Sequence, residues 1–516
     1  MKISFNFETS EFILKGAPSR PDERWEKIGP SAYQTKNLGA AVTYRHCADE
    51  VVEKILNHAL NEKVPLPKNL PPLPFLDPHQ RDGVKWILSR KRSYLAHAPG
   101  AGKTAQAIIA SLLCEAPGVT FFIVPPSLTE NWKREISMWT EKLGVWVSVG
   151  VVPLSSEKET MAQRSDIVIV PDSLLARDWV QKFILEKKKI KFIAVDEASR
   201  FKEAFSERSL AFYGGSNGEK SFRGIFQKAA HVVFLDGSPI PNRPMEIWAP
   251  TFALSPQTID FMDQDDFGYI YCGPTCNEFG QWEYRGSSNE KELHRKLTRN
   301  FMNVVNEDEL DHPERLRSML FMSEDVRSLT QRKWEKSNLG NLRFSDLSED
   351  SCGGELAKFR RELGLRKVPW ALKYLRERLE DENESILVFA WHRQVAEALH
   401  EGLKESALII GGTAMKERNR IYDNFQSGRI RSIVGNILAM GRGNNLQKAD
   451  RVFFVEPSWT DELNKQCEKR ASRKGRAQTL SVRCEYLVAP HSMDEPVMRQ
   501  LFVKQKRVRK IIEGRN

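Results

Sequence analysis

One eight-residue stretch constrains this chain more than any other. Residues 97–104 read His-Ala-Pro-Gly-Ala-Gly-Lys-Thr and lie between a short apolar run and a helical one. A glycine-rich turn in that context lets backbone N–H groups surround a phosphate, and the helix start adds a partial positive charge. The lysine can reach the outer phosphates, and the threonine hydroxyl can bind magnesium. The stretch predicts a phosphate-binding loop rather than an ordinary glycine-rich turn, with five ligand residues: Gly100, Ala101, Gly102, Lys103 and Thr104.

Length and composition indicate a protein of several domains. A chain of 516 residues is too long for one core, and about two to four domains are expected. No apolar run suits a membrane span, no signal peptide opens the chain, and seven cysteines are scattered along it. We therefore expect a cytoplasmic protein, not secreted and with no membrane partner; its short accessory region favours a microbial or virus-infected cell. The net charge of +10 favours a polyanionic partner.

Residues 1–70 predict a small α+β accessory domain. Two apolar runs, Ile3–Phe7 and Glu11–Leu14, are typical of strands, and Ala48–Leu60 is typical of an amphipathic helix. Five prolines between positions 65 and 74 then form a stiff connection, which indicates a domain boundary.

Residues 71–254 alternate apolar runs with helical stretches, which predicts a parallel sheet whose ligands bind at the carboxyl ends of the strands. The phosphate-binding loop, Asp196-Glu197 and Asp236-Gly237-Ser238 each follow a candidate strand, so we expect all three at one edge. One of the two carboxylates of Asp196-Glu197 can help to hold magnesium, and the other can orient or deprotonate the attacking water. The candidate strands are Ser93–Ala96, Thr120–Val124, Ile167–Val170, Phe192–Val195 and His231–Leu235.

Residues 368–516 repeat the alternation without a second phosphate-binding loop, so the chain predicts two parallel-sheet lobes. The candidate helix Asp461–Ala471 carries Gln466 and Arg470, and Arg473 follows it. A planar guanidinium suits the charge that develops on a γ-phosphate, although a solvated basic helix face would show the same residues. The candidate strands are Ile386–Ala390, Leu408–Ile410, Ser432–Val434, Val452–Val455 and Arg483–Val488.

Between the lobes, residues 255–367 predict a charged, mostly helical linker. Leu356–Leu375 is typical of a helix that is interrupted near Pro369. A hairpin able to separate nucleic-acid strands could lie within this linker. Cys272 and Cys276 form a close pair with no second pair nearby, so we expect no zinc, which needs four ligands.

The order of these motifs is similar to that of a known family. The segments that carry the likeness are Asp77–Val84, Val124–Leu128 with Asn131-Trp132, Asp196–Ser199, Leu235–Pro239, Ala439–Leu446 and Gln466–Arg470. Together they resemble the superfamily-two ATPases of the Swi/Snf type, which are DNA translocases, and are most similar to the HARP-like annealing-helicase branch. The resemblance covers about residues 75–490.

The resemblance implies an α/β fold of two RecA-like lobes that use ATP and Mg²⁺ and track DNA. Residues 1–70 loosely resemble the substrate-recognition domain of that branch, and the alternative is a small packing domain with no catalytic role. The resemblance implies that the catalytic residues are Lys103, Asp196, Glu197, Arg470 and Arg473. Outside the loop, the implied nucleotide-binding residues are Gln80, Gly441 and Gln466. The implied nucleic-acid contacts are Ser127, Asn131, Trp132, Arg442, Asn445 and Trp459.

The sequence departs from the family pattern at four places. Ser199 and Ser472 stand where histidines are usual, Arg476 stands where a glutamine is usual, and Asn303-Val304 stands where the linker is usually basic. We expect an ATP-dependent translocase on double-stranded or branched DNA that reanneals or remodels forks. Two alternatives stay open: a strand-separating helicase on DNA or RNA, and a nucleic-acid-binding scaffold with little turnover.

Overall fold

A computed structural model describes the chain as two compact units. The first comprises Met1–Val305 with Val508–Asn516, and the second comprises Asn306–Arg507. Among the described residues, none of the helices combines the length and the apolar character needed to cross a bilayer. The described residues are 2–6, 11–15, 26–29, 32–35, 63–153, 162, 164–277, 280–310, 315–322, 355–380, 384–403, 405–440, 446–472, 481–490, 492–495, 497–498, 501 and 511–512.

The N-terminal residues form a small antiparallel sheet. Lys2–Asn6 (β1) pairs with Glu11–Lys15 (β2), which confirms the two strands expected there. Glu26–Gly29 (β3) and Ala32–Thr35 (β4) complete a sheet in the order β1-β2-β4-β3. The helix expected at residues 48–60 lies outside the described residues.

The first unit is built on seven parallel strands covered on both faces. Successive residues of one strand enter different cores, since Phe121 and Ile123 pack in one and Phe122 and Val124 in the other. The strands of the large sheet are Arg92–His97 (β5), Val119–Val124 (β6), Val149–Val151 (β7), Ile167–Pro171 (β8), Ile190–Asp196 (β9), Ala229–Leu235 (β12) and Met302–Val305 (β15). Two short hairpins are formed by Gly215–Ser216 (β10) with Ser221–Phe222 (β11) and by Thr275–Cys276 (β13) with Trp282–Glu283 (β14). The order in the large sheet is β15-β5-β12-β9-β6-β8-β7.

Helices follow most of these strands, as expected for parallel crossovers. The first helix is capped at Asp77, whose backbone N–H donates to Oε1 of Gln80 at 3.0 Å. The helices of the unit are Pro78–Leu88 (α1), Lys103–Leu113 (α2), Thr129–Leu143 (α3), Asp178–Leu185 (α4), Glu207–Tyr213 (α5), Trp248–Leu254 (α6), Gln264–Tyr271 (α7) and Glu290–Asn300 (α8).

The second unit has six parallel strands around a core of its own. All five strands expected there are present. The strands are Arg315–Phe321 (β16), Ile386–Ala390 (β17), Ser406–Ile409 (β18), Ser432–Asn436 (β19), Arg451–Phe454 (β20) and Val482–Val488 (β21), in the order β16-β21-β20-β17-β19-β18. The helices are Glu355–Leu379 (α9), Arg393–Gly402 (α10), Met415–Gln426 (α11), Ile437–Met440 (α12) and Asp461–Glu468 (α13).

The stretch expected to be a mostly helical linker also contributes strands. Met302–Val305 forms an edge of the first sheet, and Arg315–Phe321 forms an edge of the second. The expected interruption at Pro369 is wrong, because α9 continues through it. A proline costs one helical hydrogen bond, but Val368 and Ala371 beside it are buried in the core and hold the helix in place.

A buried ion pair in the second unit provides a test of this packing. Arg451 is 1% exposed and contacts the carboxylates of Glu384 and Glu485. Arg451→Met leaves Glu485 buried without its charged partner, so we expect a loss of about 3–5 kcal/mol in unfolding free energy. Chemical denaturation measures this loss. Arg393→Met, which breaks an exposed pair with Glu397, is the control and should cost less than about 1 kcal/mol. Equal stabilities of the two variants would contradict the prediction.

Candidate nucleotide site

The predicted phosphate-binding loop connects β5 to α2. Gly100 and Gly102 have φ angles of 93° and 75°, a region that side chains with a Cβ rarely adopt. A Cβ atom at Gly102 would also lie 2.2 Å from Nε2 of Gln80. Both the backbone conformation and the close packing therefore require glycine at position 102.

Three side chains hold this loop through one carbonyl oxygen. The oxygen of Ala101 lies 3.1 Å from Nε2 of His79, and it accepts hydrogen bonds from Nε2 of Gln80 (3.2 Å) and of Gln106 (3.0 Å). The other amide atom of Gln80 caps α1. Both polar atoms of Gln80 thus have partners inside the protein, and the adenine contact implied by the family resemblance stays a prediction.

Strand register brings the acidic motifs to the same edge as the loop. In β12, Leu235 pairs with Leu95 of β5 on one side and with Asp196 of β9 on the other. The residues that follow, Asp236 and Glu197, therefore leave the sheet at the level of the phosphate-binding loop. The structure confirms that the three motifs meet at one edge.

Asp196 combines burial with hydrogen bonds that favour its charged form. Burial raises the pKa of its carboxyl, and a 2.8 Å hydrogen bond from Nε1 of Trp132 opposes that rise. The charge of Lys103 and a 3.0 Å hydrogen bond from the backbone N–H of Glu197 act in the same direction as Trp132. Lys103 itself donates from Nζ to the carbonyl of His97 at 2.8 Å. The site therefore holds a buried carboxylate near the lysine of the loop.

The backbone at Glu197 is strained, and an aspartate that follows the neighbouring strand β12 holds the turn after it. Glu197 has a φ of 52°, which is unfavourable for a residue with a side chain. Asp236 ties down the following turn, because its Oδ2 accepts from the N–H of Ser199 at 2.6 Å and its Oδ1 from that of Ser238 at 2.7 Å. Such strain is found where the surrounding structure enforces a functional geometry.

Sequence reasoning missed Asp172, a further acid at this edge. It follows β8 directly, is 1% exposed, and its Oδ2 lies 2.5 Å from Nε of Arg200 and 4.0 Å from Nε of Arg208. The signal was available, since Asp172 follows a buried apolar strand as Asp196 does. Its contacts indicate that it holds the segment after Asp196 rather than a ligand.

The residues implied as nucleic-acid contacts divide by exposure. Ser127 and Asn131 are exposed and accessible. Trp132 is 1% exposed, and Trp459 is 6% exposed with the Arg360 guanidinium 4.7 Å from its ring. Both tryptophans are buried by neighbouring residues, and the nucleic-acid contact implied for them stays a prediction. The other two implied nucleic-acid contacts, Arg442 and Asn445, lie outside the described part of the chain. The same holds for the implied nucleotide-binding residue Gly441 and the implied catalytic residue Arg473.

In the second unit, the side chain of Arg470 is buried rather than exposed. It is 1% exposed, its Nη1 contacts the carbonyl of Met440, and its guanidinium lies 5.1 Å from the ring of Tyr422. Gln466 donates to the Glu462 carboxylate at 2.8 Å. These internal partners differ from the phosphate contact implied by the resemblance, and the catalytic role of Arg470 stays a prediction.

A phosphate-binding loop and an acidic pair at one sheet edge, followed by a second parallel-sheet unit, define a two-lobed P-loop protein of the helicase type. Residues 79–351 match the SNF2-related domain, and residues 367–477 match the helicase conserved C-terminal domain. The chain belongs to the SNF2-related family.

The chain is similar to several larger proteins. It is 27% identical over 459 residues to the human DNA annealing helicase and endonuclease ZRANB3, which covers 85% of this chain and 40% of that protein. It is 28% identical over 428 residues to the Xenopus laevis SWI/SNF-related matrix-associated actin-dependent regulator of chromatin subfamily A-like protein 1. That alignment covers 81% of this chain and 42% of that protein. The chain thus spans about two fifths of the length of these curated relatives.

Among solved structures, the chain is similar to the Sulfolobus solfataricus SWI2/SNF2 ATPase core in complex with dsDNA. The two are 18% identical with a TM-score of 0.38, and the match covers 88% of this chain and 98% of that one.

The hydrogen bond from Trp132 to Asp196 predicts a pH effect. Trp132→Phe removes the donor that favours the charged carboxylate, so the pKa of Asp196 should rise further above its usual range. The acidic limb of ATP hydrolysis against pH should then move to higher pH. Trp139→Phe is a matched control on the same helix, because Trp139 donates to Glu135 at 3.2 Å. The prediction fails if the two variants have the same pH profile.

Proposed function

We propose that this chain is an ATP-dependent translocase on double-stranded or branched DNA, and that it reanneals or remodels forks. The proposal is carried by the strand register that sets Asp196 and Glu197 at the edge of the sheet where Lys103 begins α2. Membership of the SNF2-related family supports a motor powered by this site. The DNA substrate is supported by relatives whose names include DNA annealing helicase.

The residues at this edge fit ATP with magnesium. The positive φ angles of Gly100 and Gly102 shape the turn that leads into α2, and Lys103 provides a positive charge at the start of that helix. Thr104 and Asp196 would hold Mg²⁺, which when bound neutralises charge on the phosphates. Glu197 would orient the attacking water, and Lys103 would hold the terminal phosphate.

The second unit would supply arginines and part of the DNA surface. Arg470 and Arg473 would stabilise charge on the γ-phosphate, and Arg470 has to leave Tyr422 and Met440 to do so. Contacts to backbone phosphates suit a motor that moves over any sequence. Basic residues that could make such contacts are Arg429, Arg431 and Lys448.

A strand-separating helicase on DNA or RNA is the second candidate, and one observation favours it. The hairpin of β13 and β14 lies within the expected linker, and its Trp282 is 55% exposed beside Tyr269, with ring centroids 5.9 Å apart. Exposed aromatic rings can stack on unpaired bases. A scaffold with little turnover is the third candidate.

Two expectations rest on the sequence and stay predictions: the cytoplasmic location in a microbial or virus-infected cell, and the absence of zinc at Cys272 and Cys276. Burial raises the pKa of the Cys272 thiol to about 12, which disfavours the thiolate that zinc requires. Cys276, in contrast, is exposed.

Lys103→Ala tests the ATP site. Without the ammonium group the phosphate charge is not neutralised, so we expect ATP turnover to fall at least about a hundredfold while DNA binding and thermal stability persist. Lys188→Ala, at an exposed lysine of the same unit, is the control and should keep its turnover. Normal turnover in folded Lys103→Ala would reject the assignment.

Binding to nucleic acid tests the substrate. If contacts are mainly to phosphates, affinity for duplex DNA should fall about tenfold or more between about 50 and 200 mM salt, and should barely depend on sequence. Fluorescence anisotropy with two unrelated duplexes, a fork and RNA measures this, beside ATP turnover on the same substrates. Equal stimulation by RNA and DNA, together with strand displacement, would favour the helicase candidate.

A further inference from the structure

The chain passes from the first unit to the second between Val305 and Asn306. We call residues 302–317 the connector; its residues 311–314 lie outside the described part. The connector begins as β15 of the first sheet and ends in β16 of the second. Within the first unit the connector contacts the phosphate-binding loop, and within the second unit it contacts the end of helix α13.

The first anchor of the connector is the residue that opens the phosphate-binding loop. His97 is fully buried, and its Nε2 lies 2.6 Å from Oδ1 of Asn303. Burial lowers the pKa of His97 to about 3, so the ring is neutral and donates from Nε2 to the Asn303 oxygen. The backbone N–H of Ala98 also donates to the carbonyl of Val305 at 2.8 Å. Since Lys103 binds the His97 carbonyl, the connector contacts the residue that holds the lysine.

The second anchor lies in the second unit, directly before Arg470. Nζ of Lys469, a buried side chain, is 3.2 Å from the Glu307 carboxylate, which also contacts Arg315. Next to it, the buried Glu468 carboxylate accepts from Arg315 at 2.6 Å and from Arg317 at 2.7 Å. The connector is thus bound to the two residues that precede Arg470 in the chain.

We propose that Asn303 and Glu307 are positioning residues, which carry the nucleotide state of the phosphate-binding loop through the connector to the helix α13 and Arg470. Only three residues separate them in the chain. A short segment fixed at both ends transmits a displacement, whereas a long or loosely held one absorbs it in backbone rotation. The proposal rests on the ATP hydrolysis proposed above.

The anchors are suited to transmission because each of them is specific and mostly buried. The arginine hydrogen bonds to the Glu468 carboxylate, at 2.6 and 2.7 Å, are short and directional. The amide of Asn303 is matched to a neutral imidazole, whose Nδ1 has no hydrogen-bond partner among the described residues. Nothing else holds the His97 ring by a hydrogen bond there, so loss of the Asn303 side chain frees it.

The test compares Asn303→Ala, Glu307→Gln and the double variant with wild type. The kcat and KM for ATP are measured with and without duplex DNA. We expect the ratio of DNA-stimulated to basal kcat to fall about five- to fiftyfold in each single variant, with the KM for ATP within about twofold. Because both changes break one link, the double variant should be no worse than the more impaired single variant. Asn303→Asp keeps an oxygen acceptor for His97 and should restore most of the ratio.

A matched control separates transmission from stability. Glu384→Gln removes a carboxylate that binds the buried Arg451 in the same unit but lies outside the connector. It should lower the melting temperature without lowering the DNA-stimulated ratio. A second readout is hydrogen exchange of Asp461–Glu468, which a non-hydrolysable ATP analogue should slow in wild type and leave unchanged in Asn303→Ala.

The outcomes distinguish this inference from the function on which it rests. A wild-type protein without ATP hydrolysis rejects the proposed function, and this inference with it. An active, DNA-stimulated wild type whose connector variants behave like Glu384→Gln rejects the inference alone. Multiplying defects in the double variant would also overturn it, since they indicate two independent roles.

Discussion

The constraint on which the site depends is the parallel hydrogen bonding of Ala229–Leu235 to a strand on each side. This register sets Leu95, Leu235 and Asp196 at one level, so that the residues after each strand emerge together. Parallel strands end in the same direction, and their last carbonyls and following loops form one edge. A shift of this register by one residue would separate the acids from the phosphate-binding loop and exchange the faces of the strand.

Around this edge, polar contacts hold the site in one geometry. Three side chains converge on the Ala101 oxygen, Trp132 holds Asp196, and Asp236 holds the turn after Glu197. A buried polar group without a partner is costly, so such contacts specify one arrangement. The connector joins this preorganised loop, by chain continuity, to residues bound beside Arg470. The site is therefore part of a network that continues into the segment between the units.

The inner strands of both large sheets were predicted, and so was the edge strand Ser406–Ile409, but the other three edge strands were not. Ile386–Ala390 was predicted to the residue, because a strand buried on both faces is an uninterrupted apolar run. Three edge strands were not predicted: Val149–Val151, Met302–Val305 and Arg315–Phe321. The first two are short, and the third is partly exposed, with polar residues among the apolar ones. At the site, the loop and acids followed from residue type and position. The burial of Trp132 did not, since a tryptophan in an amphipathic helix suits either a surface or a core.

The sequence by itself determined which chemical groups stand at the ends of which strands, because glycine, lysine and acid residues next to apolar runs form a local pattern. Tertiary structure alone decided what each group touches. His97 is hydrogen-bonded to Asn303, which lies 206 positions further along the sequence, and Arg470 packs against Tyr422, which lies 48 positions before it. Hydrogen bonds between distant residues leave no periodicity in the chain, so they become visible only when the fold brings the partners together.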